Sequence, residues 1–214
     1  MIPLDFGGAG AGAEAATAEK TDCPPGMRFI AAGEISLGSA KGDPLRDFGD
    51  LGLRREVVGA YCVDRLEYGA GGGQLPLTGV SWARASGLCQ KVGKRLCTEA
   101  EWERGCKGPG GRRFPYGDRF DPEACVTQDD EGEERPLAPG GSKAGCRSAF
   151  GLADMSGNAA EWTSTPFKAG VSDYAVKGGS GDQPDFAVRC ASRKNMAPGA
   201  SSARVGFRCC SAPL

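Results

Sequence analysis

Ten cysteines, Cys23, Cys62, Cys89, Cys97, Cys106, Cys125, Cys146, Cys190, Cys209 and Cys210, run from near the start of the chain to near its end. Their number is even, and no pair is spaced C-x-x-C, so neither a zinc ribbon nor a thioredoxin-type redox pair is signalled. Cysteines this numerous read most simply as disulfide staples, which persist in oxidising compartments. The expected location is therefore extracytoplasmic: secreted, periplasmic or cell-surface. Residues 1–20 hold neither a basic start nor an apolar stretch long enough for a secretory signal, so that location implies a signal segment not present in this chain.

The chain contains no histidine, which excludes His-based triads and the common histidine metal sites. Any general base must be a carboxylate, Lys, Tyr or Cys. A net charge of −1 provides no basic field for nucleic acid or an anionic membrane. No run approaches the length of a membrane span. Thirty-five glycines and 14 prolines indicate a loop-rich fold rather than a helical bundle. The 214 residues suffice for one core. Residues 1–22, rich in Gly and Ala without periodicity, read as a flexible tail, and 23–214 as a single domain.

Strand signals lie at 27–38, broken at Gly33, at 57–68, and in the short pieces 174–180, 186–193 and 205–210. Two helices are better marked. Ser81 caps the first, where Trp82, Ala85, Cys89 and Val92 share a face and Gly93 stops the run. Thr98 and Glu101 form a capping box for the second, with Glu99 and Glu101 at its electropositive end. These glutamates read as capping rather than as a catalytic carboxylate pair. Residues 69–73, GAGGG, form a turn, and 107–150 are irregular, including the acidic run DDEGEE at 129–134. Cys125 and Cys146 bracket the second half of that long loop and are expected to close it.

The stretch GLADMSGNAAEW at 151–162 is too polar for a core strand. By residue type alone it reads as a loop held by turn bonds from Asp154 and Asn158. Together with PLTGVSWARASGLCQKVGKRLCTEAEWERGCKG, RFPYGD, KGGS, RCASR and VGFRC, in this order, it resembles the formylglycine-generating enzyme, or sulfatase-modifying factor, family over residues 24–210.

That resemblance implies an α+β fold, a variant of the C-type lectin fold with two helices, twisted antiparallel sheets and long ordered loops. It implies one calcium ion on the 151–162 loop, with side-chain oxygens from Asp154 and Glu161 and carbonyls from Gly157 and Ala159. Trp162 would anchor the loop in the core. A second family calcium site is expected to be missing, because the preceding loop carries Cys125 and Cys146. The resemblance also implies disulfides Cys89–Cys209 and Cys106–Cys190. Cys23 with Cys210 and Cys62 with Cys97 would complete the set, although spacing does not fix connectivity.

In the family, copper is held by two cysteines between the GGS strand and the RC motif. Here that interval, GDQPDFAV at 181–188, has none, and a thiophilic ion is not held by aspartates. No copper is expected. The expected function is a non-catalytic, calcium-holding, disulfide-stapled module recognising a protein or glycan partner, within a larger surface assembly. Its ligand surface would include Asp182, Asp185, Arg193 and Asn195. The alternative is a copper-dependent formylglycine-generating-type oxidoreductase acting on protein cysteine.

Overall fold

The computed structural model describes residues 21–214, so nearly all of the tail expected over 1–22 lies outside the described residues. In chain order the elements are β1 (Met27–Ile30), β2 (Gly33–Leu37), β3 (Arg54–Val58), β4 (Tyr61–Asp64), α1 (Trp82–Lys91), β5 (Arg95–Leu96), α2 (Glu99–Lys107), β6 (Ala160–Pro166), β7 (Tyr174–Lys177), β8 (Arg193–Met196), β9 (Val205–Phe207) and β10 (Cys209–Ser211). They form an antiparallel sheet β1-β4-β10-β5, the hairpin β2-β3, and a sheet β8-β7-β6-β9 in which only β6 and β9 run parallel. Two helices beside several small antiparallel sheets make this α+β architecture.

Both helices begin where local chemistry places them. The Ser81 hydroxyl accepts from Arg84 N, and in α2 the Thr98 hydroxyl and Glu101 carboxylate cap each other's backbone amides. Ala85 and Cys89 of α1 are buried, and Trp82 stacks on Tyr174 at 4.0 Å. Val92 differs from its expected place on the buried face and is exposed. The helix ends at Lys91, because Gly93 takes a left-handed φ of 71° and turns Val92 outward.

Some strand expectations need correction. The 27–38 signal is two strands in different sheets, and Gly33 opens the second rather than breaking the first. Residues 186–193 are not a strand: 185–187 form a 3₁₀ turn, and β8 starts only at Arg193. The 205–210 piece changes sheet at Arg208, from β9 to β10. From 108 to 159 there is no helix or strand, and the loop is held by turns, isolated bridges and Cys125–Cys146.

The core has two parts. One gathers Ile30, Leu37, Tyr61, Trp102, Leu152 and Met155 between α2 and β2–β4. The other gathers Ala85, Leu96, Trp162, Val176 and Phe207 around α1 and β6. Trp162 is fully buried and donates its indole N–H to Val80 O at 3.0 Å.

Five disulfides staple the chain, Cys23–Cys62, Cys89–Cys209, Cys97–Cys210, Cys106–Cys190 and Cys125–Cys146, and the middle three lie in the core. The Cys23–Cys210 and Cys62–Cys97 pairings expected from sequence are replaced by Cys23–Cys62 and Cys97–Cys210. The reason lies in β10. Adjacent strand residues point to opposite faces. Cys209 therefore meets Cys89 on α1, while Cys210 meets Cys97 just beyond β5, its neighbour strand.

Candidate functional site

Loop 151–162 keeps its shape through backbone that few residues adopt. Asp154, Gly157 and Asn158 have φ of 56°, 73° and 57°. At Gly157 the chain also runs against its neighbour: Asn158 N donates to Val126 O at 2.7 Å, and a Cβ on Gly157 would sit 2.1 Å from that oxygen. Gly157→Ala is therefore expected to cost about 2–3 kcal/mol in urea unfolding, from the left-handed backbone plus the overlap. A loss below about 1 kcal/mol would show that the loop relaxes freely. The Asn158 amide spans three segments. Its Nδ2 donates to Glu67 Oε1 at 2.8 Å and to Ala138 O at 3.2 Å, and its Oδ1 accepts from Ala138 N at 2.9 Å.

The two acids of the loop have separate partners. Asp154 Oδ2 accepts from Gly141 N at 2.6 Å. Glu161, on β6, is completely buried and forms a bidentate pair with Arg208, Oε1 to Nη2 at 2.6 Å and Oε2 to Nε at 2.7 Å. Trp102 Nε1 also donates to Oε2, at 2.7 Å. Oε2 thus takes two donors and Oε1 one, so Arg208 already neutralises the charge that Glu161 would bring to a calcium ion. Gly157 and Ala159 are buried in the same loop.

A residue that sequence reading missed stands beside them. Glu67 is buried, its Oε2 meets no donor group, and its carboxyl shares a hydrogen bond with that of Asp154. Burial first, and then the adjacent Asp154 charge, push its carboxyl well above the ordinary glutamate range; burial likewise raises Asp154. Glu67, Asp154 and Glu161 face a single buried guanidinium, Arg208. Among the described residues no group of three or more His, Cys, Asp or Glu is arranged to hold a metal ion. Even so, the donors are hard oxygens, and burial and crowding push two of the carboxyls, Glu67 and Asp154, towards the neutral form in the absence of a cation. That chemistry suits a hard divalent cation, with Glu67 rather than Glu161 beside Asp154.

One face of α2 carries a second ionic group. Glu103 lies between Lys107 Nζ at 2.7 Å and Lys177 Nζ at 2.8 Å, and Glu99 between Lys177 at 3.4 Å and Arg193 Nε at 2.7 Å. All five side chains are buried. Burial alone would raise the Glu103 carboxyl, but Lys177 and Lys107 outweigh it and hold it below the ordinary range. Glu101 caps α2 and pairs with Arg95 at 2.6 Å. Glu99, read from sequence as a capping residue, belongs instead to this buried network. Nothing in the spacing of Lys177 or Arg193 shows that they reach α2.

The expected ligand surface is only partly assembled. A cleft of about 240 Å³ is lined by Ser180, Asp182, Gln183, Lys194, Asn195 and Met196, among others. The Ser180 hydroxyl donates to Asp182, and Gln183 Oε1 is buried without a partner. Asn195 is exposed and donates to Asp173. Arg193 needs correction: it borders the cleft, but its guanidinium turns inward to Glu99 and stacks 4.2 Å from the Phe167 ring. Asp185 lies outside the lining and opens the 3₁₀ turn, its Oδ1 accepting from Phe186 N at 2.7 Å. Among the described residues, which include all ten cysteines, none is free.

The family described as "Sulfatase-modifying factor enzyme 1-like domain" matches residues 56–213. The chain belongs to this family. Sulfatase-modifying factor relatives include the formylglycine-generating enzyme of Bos taurus, 34% identical over 163 residues, covering 63% of this chain and 43% of that protein. The "Inactive C-alpha-formylglycine-generating enzyme 2" of Mus musculus is 31% identical over 153 residues, covering 64% and 49%. The chain thus spans less than half the length of these two relatives. Among solved structures, PvdO from Pseudomonas aeruginosa has a TM-score of 0.73 at 20% identity, covering 86% of this chain and 93% of that one. Treponema denticola variable protein 1 has a TM-score of 0.70 at 18% identity, covering 87% and 95%. Both share the sulfatase-modifying factor fold with this chain.

Proposed function

We propose that this sulfatase-modifying factor domain is a non-catalytic recognition module of the extracytoplasmic space. The observation that carries the reading is the state of its sulfur. Every cysteine is in a disulfide, and 181–188, beside the cleft, contains none. A copper-thiolate centre needs two thiolates, and each would have to come from a broken staple. A relative named inactive supports the same reading. Five disulfides suit an oxidising compartment. Among the described residues no helix is long and apolar enough to cross a membrane.

On this reading the cleft beside Ser180, Asp182 and Gln183 takes a polar segment of a protein or glycan partner. The Gln183 amide and Lys194 would supply hydrogen bonds, and Met196 adaptable apolar contact. Incubation with copper, reductant, oxygen and a cysteine-containing peptide should leave the cysteine unconverted; conversion would overturn the non-catalytic reading. Peptides and glycans selected on the protein should bind Lys194→Glu at least about tenfold more weakly, a loss of about 1.4 kcal/mol. Selected ligands indifferent to that change would place recognition elsewhere.

Calcium is part of the same proposal, held by Asp154 and Glu67 with the Gly157 and Ala159 carbonyls. The Glu67 oxygen that meets no donor group supports it. Calcium at a hundredfold excess over its dissociation constant is expected to stabilise the fold by about 2.7 kcal/mol. The measurement is thermal unfolding in calcium and in chelator, with Glu67→Gln abolishing the difference. Equal midpoints for the unsubstituted protein would remove calcium from the reading.

A further inference from the structure

Arg189 is completely buried, yet its guanidinium is only partly used. Nε donates to Phe186 O at 2.9 Å and Nη2 to Asp50 Oδ2 at 2.8 Å, while Nη1 is buried with no hydrogen-bond partner. The Asp43 carboxylate is 4.0 Å from Nη1 and leans towards Arg113 instead, 3.4 Å from its Nη2. Arg189 borders a cavity of about 270 Å³ that also takes Lys107, Arg112, Arg113, Asp43 and Asp118 into its wall. This cavity is separate from the recognition cleft; the two share no lining residue.

Charge there is not balanced from within. Lys107, Lys177 and Arg193 share only Glu103 and Glu99, three buried cations on two carboxylates, and this network reaches the cavity at Lys107. Arg189 is matched by Asp50 and Arg113 by Asp43; Arg112 and Asp118, both exposed, add one charge of each sign to the wall, with Asp118 Oδ1 accepting from Arg113 N at 2.9 Å. One positive charge is left over. Buried charge without a partner is costly, and a guanidinium with an open N–H edge matches the oxygens of a carboxylate or phosphate.

We propose that this cavity binds an oxyanion, the carboxylate or phosphate group of a small ligand, between Arg189 Nη1, Arg112 and Arg113. Asp43 is the competitor already in place. The anion takes the position Asp43 only approaches, so the native carboxylate weakens binding by repulsion. Arg113 is accessible enough to contribute, with a third of its side chain exposed.

The test is titration of the full chain at fixed ionic strength with inorganic phosphate and, separately, with acetate, followed by calorimetry and thermal unfolding. Saturable binding of at least one probe is expected, at least tenfold weaker in Arg113→Gln and tighter in Asp43→Asn. Phosphate alone binding identifies a tetrahedral ligand group; acetate binding identifies a carboxylate. Asp43→Asn guards against misreading a folding defect, because there the expected change is a gain. No saturable binding of either probe, or equal affinity in the unsubstituted protein and both variants, overturns the proposal.

Discussion

Arg208→Met is expected to destabilise the domain by about 3–5 kcal/mol, because it leaves the Glu161 carboxylate buried without its counter-ion. That is a large part of the 5–15 kcal/mol that ordinarily holds a domain together. Arg208 does more than neutralise. It also donates to Ala153 O at 3.0 Å and Asp64 O at 3.2 Å, fastening loop 151–162 to the end of β4. The loss therefore includes two orphaned carbonyls. Adding Glu161→Leu to Arg208→Met removes the stranded charge and should return part of the stability. Recovery stays incomplete, because Trp102 Nε1 then lacks its acceptor, a cost of about 1–3 kcal/mol. Urea unfolding of the three proteins measures each step. If Arg208→Met unfolds within about 1 kcal/mol of the unsubstituted protein, Glu161 is neutralised by something other than Arg208.

Replacing Cys89 and Cys209 together by alanine should cost about 3 kcal/mol in chain entropy, because Cys97–Cys210 remains and the staple then closes a ring of only about ten residues in the unfolded chain despite its sequence separation of 120. The pair also joins α1 to β10, so its loss loosens the second core cluster where Trp162 and Phe207 pack. Cys125–Cys146 spans only 21 residues, and its removal should cost about 3 kcal/mol on the same account. The comparison is made by denaturant unfolding of both double variants, with midpoint and slope fitted for each. The two losses are expected to agree within about 1 kcal/mol, and a markedly larger one from Cys125–Cys146 would mean that local order in the 108–159 loop outweighs chain entropy.

Much of the local structure was legible because its causes lie within a few residues. Ser81, and Thr98 with Glu101, cap helices whose apolar spacing is plain. Gly157 can be suspected as a tight turn from its surroundings, although its approach to Val126 O cannot. The family motifs carried the fold class, since they register the combined pattern of many positions.

What failed was non-local. The 186–193 stretch has the apolar residues of a strand, but buried contacts fold it as a 3₁₀ turn and a bend before β8. Arg193 looked like a surface residue until the pairing of β8 with β7 set it opposite Lys177 and within reach of Glu99, while Lys194 and Asn195 stayed exposed. Glu67 looked like an ordinary acid in a loop. It becomes notable only once the chain brings it to Asn158 and Asp154.

By itself, the amino-acid order determined that this chain would be stapled and loop-rich with two capped helices, because caps, turns and cysteine content act through near neighbours or composition, while its α+β class was implied by the family motifs. Only the tertiary structure decided which of Cys23, Cys62, Cys97 and Cys210 pair, that Glu161 meets Arg208, and that Arg189 keeps an open edge towards a cavity. These depend on sheet order and on the alternation of side chains along a strand, which bring together residues far apart in the chain.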